Sequence, residues 1–493
     1  MMPKLKLYGL ILDADTFYPP IKHFLHHAVV SLSMTRSNQT DSSSKSVLAI
    51  AGATGFIGRW FIQEYSDKYD IIALSRGEVE NQENDAVEWR KVNLYSLSST
   101  SKALEGADYA LYLVHSMQPS SRLNQGSFED TDLLLADNFA RAAEERDLRQ
   151  IVFIGGILPK DTDDFSTHLR SRFETEQTLS SRKTAMTAIR ASIIIGAGGS
   201  SFRIVRKLTE RLPVMACPKW CESPSQPIDI CNMLEIIDRT LGNEVLYDQA
   251  IEVGSQKIYS YMDLLKITSK KLGKKRLIFS IPLFTLGFSK LWVAKFSDSS
   301  TTFVSPLIES LRHDMRVDDS KNPFSDLNFT PIEDAVDNAL TKKSPHLPER
   351  HYGDGAKNTV RSVQRLSNPG KKDVAWVARI YPDWLSKKFT IFLKAEKSED
   401  KVCFAILGKT LLELRFVESR SDEKRQLFFI TGGLLAKRVD YGWLEFRSVL
   451  DNRYIIAAIH EFVPRLPWFL YRLSQAVIHL MVMKSFGRFL KKR

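Results

Sequence analysis

The sequence predicts a doubly wound parallel α/β domain followed by a second domain of the α+β class. From Ser46 onward, short apolar runs such as VLAIAG, DYALYLVHSM and QIVFIGGI alternate with segments of helical periodicity. This alternation is typical of βαβ units, which build a parallel sheet with right-handed crossovers. After residue 358 the pattern becomes short alternating segments and then one long apolar helix, which indicates an antiparallel sheet.

Changes in composition divide the 493-residue chain into segments. Residues 1–45 end in the polar stretch SNQTDSSSK and are predicted to be a flexible N-terminal extension. Residues 46–343 are predicted to form the α/β domain, with a small substrate subdomain within 196–343. Residues 344–358, SPHLPERHYGDGAKN, are rich in Pro, Gly and charge and are predicted to be a linker before the second domain, 359–493.

The formal net charge of +11 favours anionic ligands, such as nucleotide phosphates or an anionic membrane surface. Because no long basic run or nucleic-acid motif is present, we expect no nucleic-acid partner. No apolar run is long enough to predict a transmembrane helix. The tail KSFGRFLKKR has two interpretations: a core helix with a solvated end, or a peripheral contact with a membrane surface.

The cysteines predict neither disulfides nor a metal site, because no histidine accompanies them at the spacing of zinc ligands. Isolated reduced thiols are typical of cytoplasmic proteins, and we expect that location, with membrane association left open. The four cysteines are Cys217, Cys221, Cys231 and Cys403.

The loop AGATGFIGR follows the apolar run VLAIA and opens a predicted helix. Gly52 would permit a tight turn, Gly55 the approach of a pyrophosphate to the backbone, and Gly58 close packing of the helix on the sheet. The helix N-terminus offers free N–H groups to phosphates. This Rossmann pattern predicts a dinucleotide site, and its binding residues are Gly52, Thr54, Gly55, Phe56, Ile57 and Gly58.

Further binding residues are predicted where later strands end. Sites that prefer NAD usually carry Asp or Glu after the second strand, whereas this chain has Ser75 and Arg76. An arginine pairs with a 2′-phosphate through its planar fork, so NADP is the expected cofactor, with NAD left open. The remaining candidates are Asn93 and Leu94 for the adenine, and Val114 and His115 at the topological switch.

The loop, the Asn93–Leu94 pair and the strand order resemble the extended and atypical short-chain dehydrogenase/reductases over residues 46–343. Segments such as LYLVHSM, HLRSR and PLIESLRHD resemble an atypical bacterial branch with NmrA-like relatives. RSVQRL, WVARIYPDWL and GWLEFR resemble a poorly characterised C-terminal domain of such proteins. Its strands-then-helix order is similar to START-like helix-grip folds, and this resemblance implies an enclosed apolar ligand.

The chain departs from the family where catalysis is expected. Family enzymes carry a Ser after the fifth strand and a Tyr-x-x-x-Lys pair on the next helix, whereas this chain has Gly155-Gly156 and then His168 and Arg172. His168 and Arg172 share one helix face. His168 is the predicted proton donor and Arg172 is predicted to orient an oxygen or the nicotinamide ribose. A role for both that is structural, or limited to cofactor binding without any reaction, stays open.

The expected function is an NADP(H)-linked oxidoreductase acting on a carbonyl or C=C bond of an apolar small molecule. Two alternatives remain: a non-catalytic dinucleotide-binding regulator or assembly factor, and a lipid or isoprenoid carrier that works through the C-terminal domain. In the carrier, aromatic residues of that domain line a pocket, although ordinary core packing explains them equally well. These residues are Trp376, Tyr381, Trp384 and Trp443.

Overall fold

A computed structural model describes residues 6–7, 10–11, 45–79, 85–116, 123–159, 166–281, 293–298, 300–351, 359–389, 393–437 and 441–493. The chain divides into two units, Met1–Lys45 and Ser46–Arg493. In the first unit, the short strands β1 (Lys6–Leu7) and β2 (Leu10–Ile11) pair antiparallel. Almost all of the predicted flexible extension lies outside the described residues.

Strands and helices largely alternate in the first part of the second unit. The strands are β3 (Val47–Ala51), β4 (Asp70–Ser75), β5 (Val87–Lys91), β6 (Tyr109–Tyr112), β7 (Leu123–Gln125), β8 (Gln150–Gly156) and β9 (Ala185–Ala191). The helices are α1 (Phe56–Tyr65), α2 (Leu97–Ala103), α3 (Phe128–Glu145) and α4 (Thr167–Leu179).

Residues 194–341 mix helices with very short strands. The strands are β10 (Ile194–Ile195), β11 (Val214–Pro218), β12 (Pro224–Ser225), β13 (Ile228–Asp229), β14 (Ala250–Val253), β15 (Tyr259–Ser260) and β16 (Leu277–Ile281). The helices are α5 (Ser200–Arg211), α6 (Ile230–Thr240), α7 (Tyr261–Lys271), α8 (Thr301–Leu311) and α9 (Ile332–Thr341). Apart from β14, these strands form the two-stranded pairs β10–β13, β11–β16 and β12–β15.

A seven-stranded parallel sheet organises this region in the order β14-β9-β8-β6-β3-β4-β5, and the predicted parallel α/β fold is confirmed. The central strand β3 is apolar throughout, and its residues 48–51 are fully buried because helices cover both faces of the sheet. The chain leaves β3 for β4 on one side and returns to β6 on the other. The carboxyl ends of β3 and β6 therefore border the crevice where such sheets bind ligands.

The C-terminal region forms a separate, mainly antiparallel sheet, as predicted. Its strands are β17 (Val360–Ser367), β18 (Lys394–Lys397), β19 (Lys401–Ile406), β20 (Lys409–Phe416), β21 (Arg425–Gly432), β22 (Trp443–Val449) and β23 (Tyr454–Phe462). Its helices are α10 (Val374–Lys388), α11 (Trp468–Leu473) and α12 (Gln475–Leu490). The predicted final helix is divided at Ser474 into α11 and α12.

Strand β7 connects the two sheets. It follows the α/β strand β6 in sequence, yet Leu123–Gln125 pairs in parallel with residues 360–362 at the edge of the antiparallel sheet, whose order is β18-β19-β20-β21-β22-β23-β17-β7. This pairing was not predicted, because three residues carry no readable periodicity.

Helix α3 also joins the two parts through buried charge. Arg447 on β22 donates from Nη1 to Asp137 Oδ2 at 2.6 Å and from Nη2 to Glu445 Oε2 at 3.0 Å, and its side chain is fully buried. Burial opposes the charge of Glu445, but the guanidinium groups of Arg447 and Arg425 hold the pKa of its carboxyl well below the usual range. The interface therefore consists partly of paired, desolvated ions.

The aromatic residues of the C-terminal region pack in its core. Tyr381 lies 5.0 Å, between ring centroids, from Phe486 of α12, and Trp384 lies at the same distance from Phe486. Trp443 stacks on His460 at 4.7 Å. These contacts match ordinary core packing, which is one of the two interpretations of the aromatic residues. The other interpretation is the lining of a ligand pocket.

Candidate dinucleotide and proton-transfer site

The glycine loop is shaped by contacts that only glycine permits. Gly52 has a φ of +95°, and a Cβ atom there would lie 3.0 Å from Cβ of Leu113, just beyond β6. A Cβ on Gly58 would lie 2.6 Å from the carbonyl oxygen of Gly52 and 2.8 Å from Cα of Ala53. Helix α1 therefore starts tightly against the ends of β3 and β6, in the cradle that a pyrophosphate requires.

The N-terminus of α1 is open to a ligand. Gly55, its N-cap, provides no side-chain hydrogen bond, so the first N–H groups of the helix, at Phe56 and Ile57, are not capped by it. These groups and the helix dipole favour an anion at this position. The loop and helix thus fit the phosphates of a dinucleotide.

Part of the predicted linker lies across this loop. We call residues 344–351 the strap. Arg59 of α1 donates from Nη1 to the carbonyl oxygen of Pro345 at 2.6 Å, and Arg350 donates to Oγ1 of Thr54 at 3.3 Å. His351 and Glu78 exchange backbone hydrogen bonds of 2.9 and 3.0 Å. Burial, and then the charge of Arg350, lower the pKa of Arg59. Two guanidinium groups therefore flank the glycine loop.

The predicted adenosine residues lie at the ends of neighbouring strands. Ser75 is buried and accepts a hydrogen bond from the N–H of Gly77 at 3.3 Å, whereas Arg76 is exposed. Asn93 Oδ1 accepts a hydrogen bond of 3.2 Å from Arg361 on β17, and the carbonyl of Leu94 accepts one from Asn138 at 2.8 Å. The C-terminal sheet thus contacts the predicted adenine side of the site.

His115 is held by a buried carboxylate. Its Nδ1 lies 2.6 Å from Oδ2 of Asp132 on α3, and the other carboxylate oxygen accepts the N–H of Ser116 at 2.7 Å. Burial opposes the charge of Asp132, but His115 and Arg172 keep the pKa of its carboxyl below the usual value. The carboxylate therefore accepts Nδ1–H, while Nε2 of His115 is buried and has no hydrogen-bond partner among the described residues.

His168 lies beside this pair. Its ring centroid is 5.2 Å from that of His115, and its Nδ1 is 3.1 Å from Oγ of Ser310 on α8. Burial lowers the pKa of His168 well below its usual value, and the positive charges that His115 and Arg172 can carry lower it further. His168 is therefore a neutral imidazole at neutral pH.

Arg172 binds the ends of two strands. Its Nη1 donates to the carbonyl oxygen of Val114 at 3.1 Å, and Nη2 donates to that of Ile154 at 2.5 Å. Its guanidinium carbon also lies 4.5 Å from the ring centroid of Phe153. Both terminal nitrogens of Arg172 thus donate to backbone carbonyl groups. One of these carbonyl groups belongs to Val114, a predicted cofactor-binding residue.

Asp132 and Ser310 are site residues that the sequence reasoning missed. Asp132 lies in SFEDTDLLLADNFA, where a helical period places it with Leu135, Ala136 and Phe139 on the buried face of α3. A carboxylate on a buried helix face signals a partner, so this position was detectable. The sequence around Ser310 contains no comparable feature that would indicate a contact with His168.

An apolar cavity of about 300 Å³ lies in the 196–343 region, between α5, β11, α7 and α8. Helix α8 lines it with Leu307 and Ile308, while Ser310 of the same helix contacts His168. The lining is almost entirely apolar, so the cavity fits an apolar group. Cys217 and Cys221 also line the cavity, and both carry free thiols.

Neither a candidate membrane span nor a candidate metal-ligand cluster occurs among the residues that the structure describes. None of the helices within those residues has the length and hydropathy of a membrane span. They likewise contain no cluster of three or more His, Cys, Asp or Glu side chains that could hold a metal ion.

Comparison with known families identifies the ligand class. Residues 52–198 match the model of a family described as NAD(P)H-binding. The chain therefore contains an NAD(P)H-binding domain of Rossmann-like fold, and the predicted dinucleotide cofactor is confirmed.

Individual proteins resemble parts of the chain. The auxiliary protein GraX of Staphylococcus aureus is 27% identical over 114 residues, which are 23% of this chain and 37% of that relative's length. A nucleoside-diphosphate-sugar epimerase from Staphylococcus aureus is 14% identical, with a TM-score of 0.47 over 59% of this chain and 99% of that chain. Triphenylmethane reductase from Citrobacter sp. is 19% identical, with a TM-score of 0.46 over 60% of this chain and all of its own.

Proposed function

We propose that this protein is an NADP(H)-dependent oxidoreductase that acts on a carbonyl or C=C bond of an apolar small molecule. The observation that carries the proposal is the His115–Asp132 pair, with 2.6 Å between Nδ1 and Oδ2, just beyond β6. Leu113, two residues before His115, touches the glycine loop at Gly52. A proton carrier thus stands beside the loop that binds the cofactor.

The pair fits general acid catalysis. When bound, the nicotinamide supplies the hydride. His115 gives the proton on Nε2 to the substrate oxygen, or to carbon for a C=C bond, and is recharged from water. Asp132 holds the imidazole in the tautomer that carries Nδ1–H and stabilises its cationic form. Nε2, which has no hydrogen-bond partner among the described residues, is the atom that would meet the substrate.

His115, and not the predicted His168, is the proposed proton donor. A buried histidine with a lowered pKa carries too little of its acidic form at neutral pH, and Nδ1 of His168 is engaged by Ser310. We assign His168 and Arg172 positioning roles. His168 packs beside His115, and Arg172 fixes the carbonyl groups of Val114 and Ile154.

Two features support the choice of cofactor and substrate. The exposed Arg76 follows β4, where an acidic residue would favour NAD, so a 2′-phosphate has a cationic partner. The cavity of about 300 Å³ takes the apolar part of the substrate, since α8 connects its wall to His168 through Ser310.

A non-catalytic dinucleotide-binding regulator is the second candidate. The observation that favours it is Arg172, a buried side chain whose Nη1 and Nη2 each donate to a backbone carbonyl, as the side chain of a structural residue does. The lipid-carrier alternative and the START-like, helix-grip description stay proposals. Among the described residues, Tyr381 and Trp384 pack on Phe486 and not around an open pocket.

The experiment compares His115→Asn with His168→Asn, a matched pair of substitutions. NADPH oxidation is followed with a panel of apolar enones, quinones and aldehydes, and NADPH binding is measured by fluorescence. His115→Asn is expected to lower kcat by about 10²-fold or more with NADPH affinity retained, because general acid catalysis contributes that much. His168→Asn is expected to lower kcat by less than about tenfold. The reverse order would overturn the assignment, and wild-type binding without turnover would favour the regulator.

A further inference from the structure

The C-terminal helices α11 and α12 expose a group of large apolar side chains that we call the apolar face. Leu473 is 78% exposed, Phe469 65%, Met481 63% and Ile478 60%. Exposed apolar residues occur singly on most soluble proteins, whereas a contiguous group marks an interaction surface. The complete set is Leu466, Phe469, Leu470, Leu473, Val477, Ile478 and Met481.

The apolar face is distinct from the face that holds these helices on their own domain. Tyr471, Met483, Phe486 and Leu490 are buried in the C-terminal core, and Leu366 of β17 lies against Gly487. The tail KSFGRFLKKR is thus anchored by Phe486 and Leu490. The exposed apolar residues come earlier in the chain. Leu466 lies just before α11, and the others lie in α11 and in the first two turns of α12.

Charge identifies the kind of partner. Residues 463–493 contain seven Lys or Arg residues and no Asp or Glu. Arg465, Arg472 and Lys484 are exposed and lie within or next to the stretch that forms the apolar face. An apolar helix face with a cationic border is typical of helices that lie in the headgroup region of anionic membranes. A second copy of this chain would bring like charges together, which disfavours a symmetric dimer through this face.

We propose that the apolar face docks peripherally on a membrane surface rich in anionic lipid. Phe469, Leu473 and Ile478 enter the boundary between headgroups and acyl chains, and the neighbouring cations bind lipid phosphates. This docking is independent of the proposed oxidoreductase activity.

Co-sedimentation of the full chain with vesicles tests the proposal. One vesicle type is phosphatidylcholine alone, and the other contains equal parts of phosphatidylcholine and phosphatidylglycerol. The wild type is expected to bind the anionic vesicles at least about tenfold more tightly, because each Lys or Arg near such a surface contributes about fivefold. The double variant Leu473→Gln with Ile478→Gln is expected to lose about tenfold or more of this binding.

Val245→Gln is the matched control, since Val245 is 84% exposed in the segment before β14. It is expected to bind the anionic vesicles as the wild type does. Equal binding by the double variant and the wild type would overturn the proposal, as would absence of wild-type binding. A mass in solution that doubles with concentration, and that the double variant abolishes, would assign the face to a second copy instead.

Discussion

Asp132 on α3 accepts the Nδ1–H of His115, with 2.6 Å between Oδ2 and Nδ1, although seventeen positions separate the two residues. The contact orients a histidine beside the dinucleotide loop and leaves Nε2 without a partner among the described residues. In the proposed mechanism this contact sets the tautomer of His115, and the Nε2 atom transfers the proton to the substrate.

The first prediction concerns this carboxylate. Asp132→Asn removes the charge that stabilises the imidazolium and disturbs the tautomer, so kcat is expected to fall by about 10²- to 10⁴-fold. NADPH affinity is expected to change by less than about twofold, because Asp132 binds His115 and not the loop. Steady-state kinetics with fluorescence titration measures both. Asp130→Asn on the same helix is the control, and equal kcat losses in the two variants would contradict the prediction.

The second prediction concerns cofactor choice. Arg76→Gln removes the cation at the end of β4, so NADPH affinity is expected to fall about tenfold or more, since a charge-assisted contact contributes about 1.5–3 kcal/mol. NADH affinity is expected to stay the same. Titration calorimetry with both cofactors measures the change, and Arg206→Gln on the surface of α5 is the control. If both cofactors weaken equally, Arg76 does not bind the 2′-phosphate.

The third prediction concerns the interface between α3 and the antiparallel sheet. Arg447→Ala removes the cation that Asp137 and Glu445 share, while Arg141 and Arg425 still contact these carboxylates. The lost charge-assisted hydrogen bonds are expected to lower the free energy of unfolding by about 1.5–3 kcal/mol. Urea unfolding measures the loss. Arg316→Ala breaks an exposed pair with Asp314 and is expected to cost about 1 kcal/mol or less. A similar small loss for Arg447→Ala would show that the buried network does not stabilise the interface.

The fourth prediction concerns pH. Burial lowers the pKa of His479 to about 4, and its Nε2 lies 3.0 Å from Oγ of Ser362. The unfolded chain takes up the proton below about pH 6.5 while the folded chain does not, so folding stability falls as the pH falls from about 6.5 to about 4. Because burial is incomplete, we expect His479 to contribute on the order of 2 kcal/mol of this loss.

His479→Gln keeps a polar group for Ser362 but cannot titrate. The difference in unfolding free energy between about pH 7.5 and about pH 4.5 is therefore expected to be smaller in this variant, by on the order of 2 kcal/mol. Urea unfolding at both pH values measures it, and His346→Gln at an exposed position is the control. An unchanged difference in His479→Gln would contradict the burial of that imidazole.

The sequence was sufficient to predict those features that depend on residues close to one another in the chain. The apolar residues of β3, the glycines at 52 and 58, and the alternation of strands and helices are set by neighbours within a few positions, so the parallel sheet and its loop were predicted. The shared face of His168 and Arg172 was also local. The contacts of His168 and Arg172 could not be predicted in this way, because Ser310 and the carbonyl groups of Val114 and Ile154 come from elements distant in sequence.

Contacts between distant segments account for what was not predicted. The bond between Arg59 and Pro345 spans 286 positions, and composition alone indicated only a linker for the strap. Residues 123–125 join β17 by backbone pairing, which leaves no side-chain pattern to read. Asp132 is the exception, since a carboxylate on a buried helix face was visible in the sequence.

The most direct test of the proposed activity is transfer of deuterium from NADPH deuterated at nicotinamide C4 to an apolar enone, followed by mass spectrometry of the product. The wild type is expected to give product with deuterium bonded to carbon. His115→Asn is expected to form this product at a rate that is lower by about 10²-fold or more. Wild-type protein that binds NADPH but transfers no deuterium to any enone or aldehyde of the panel would contradict the account.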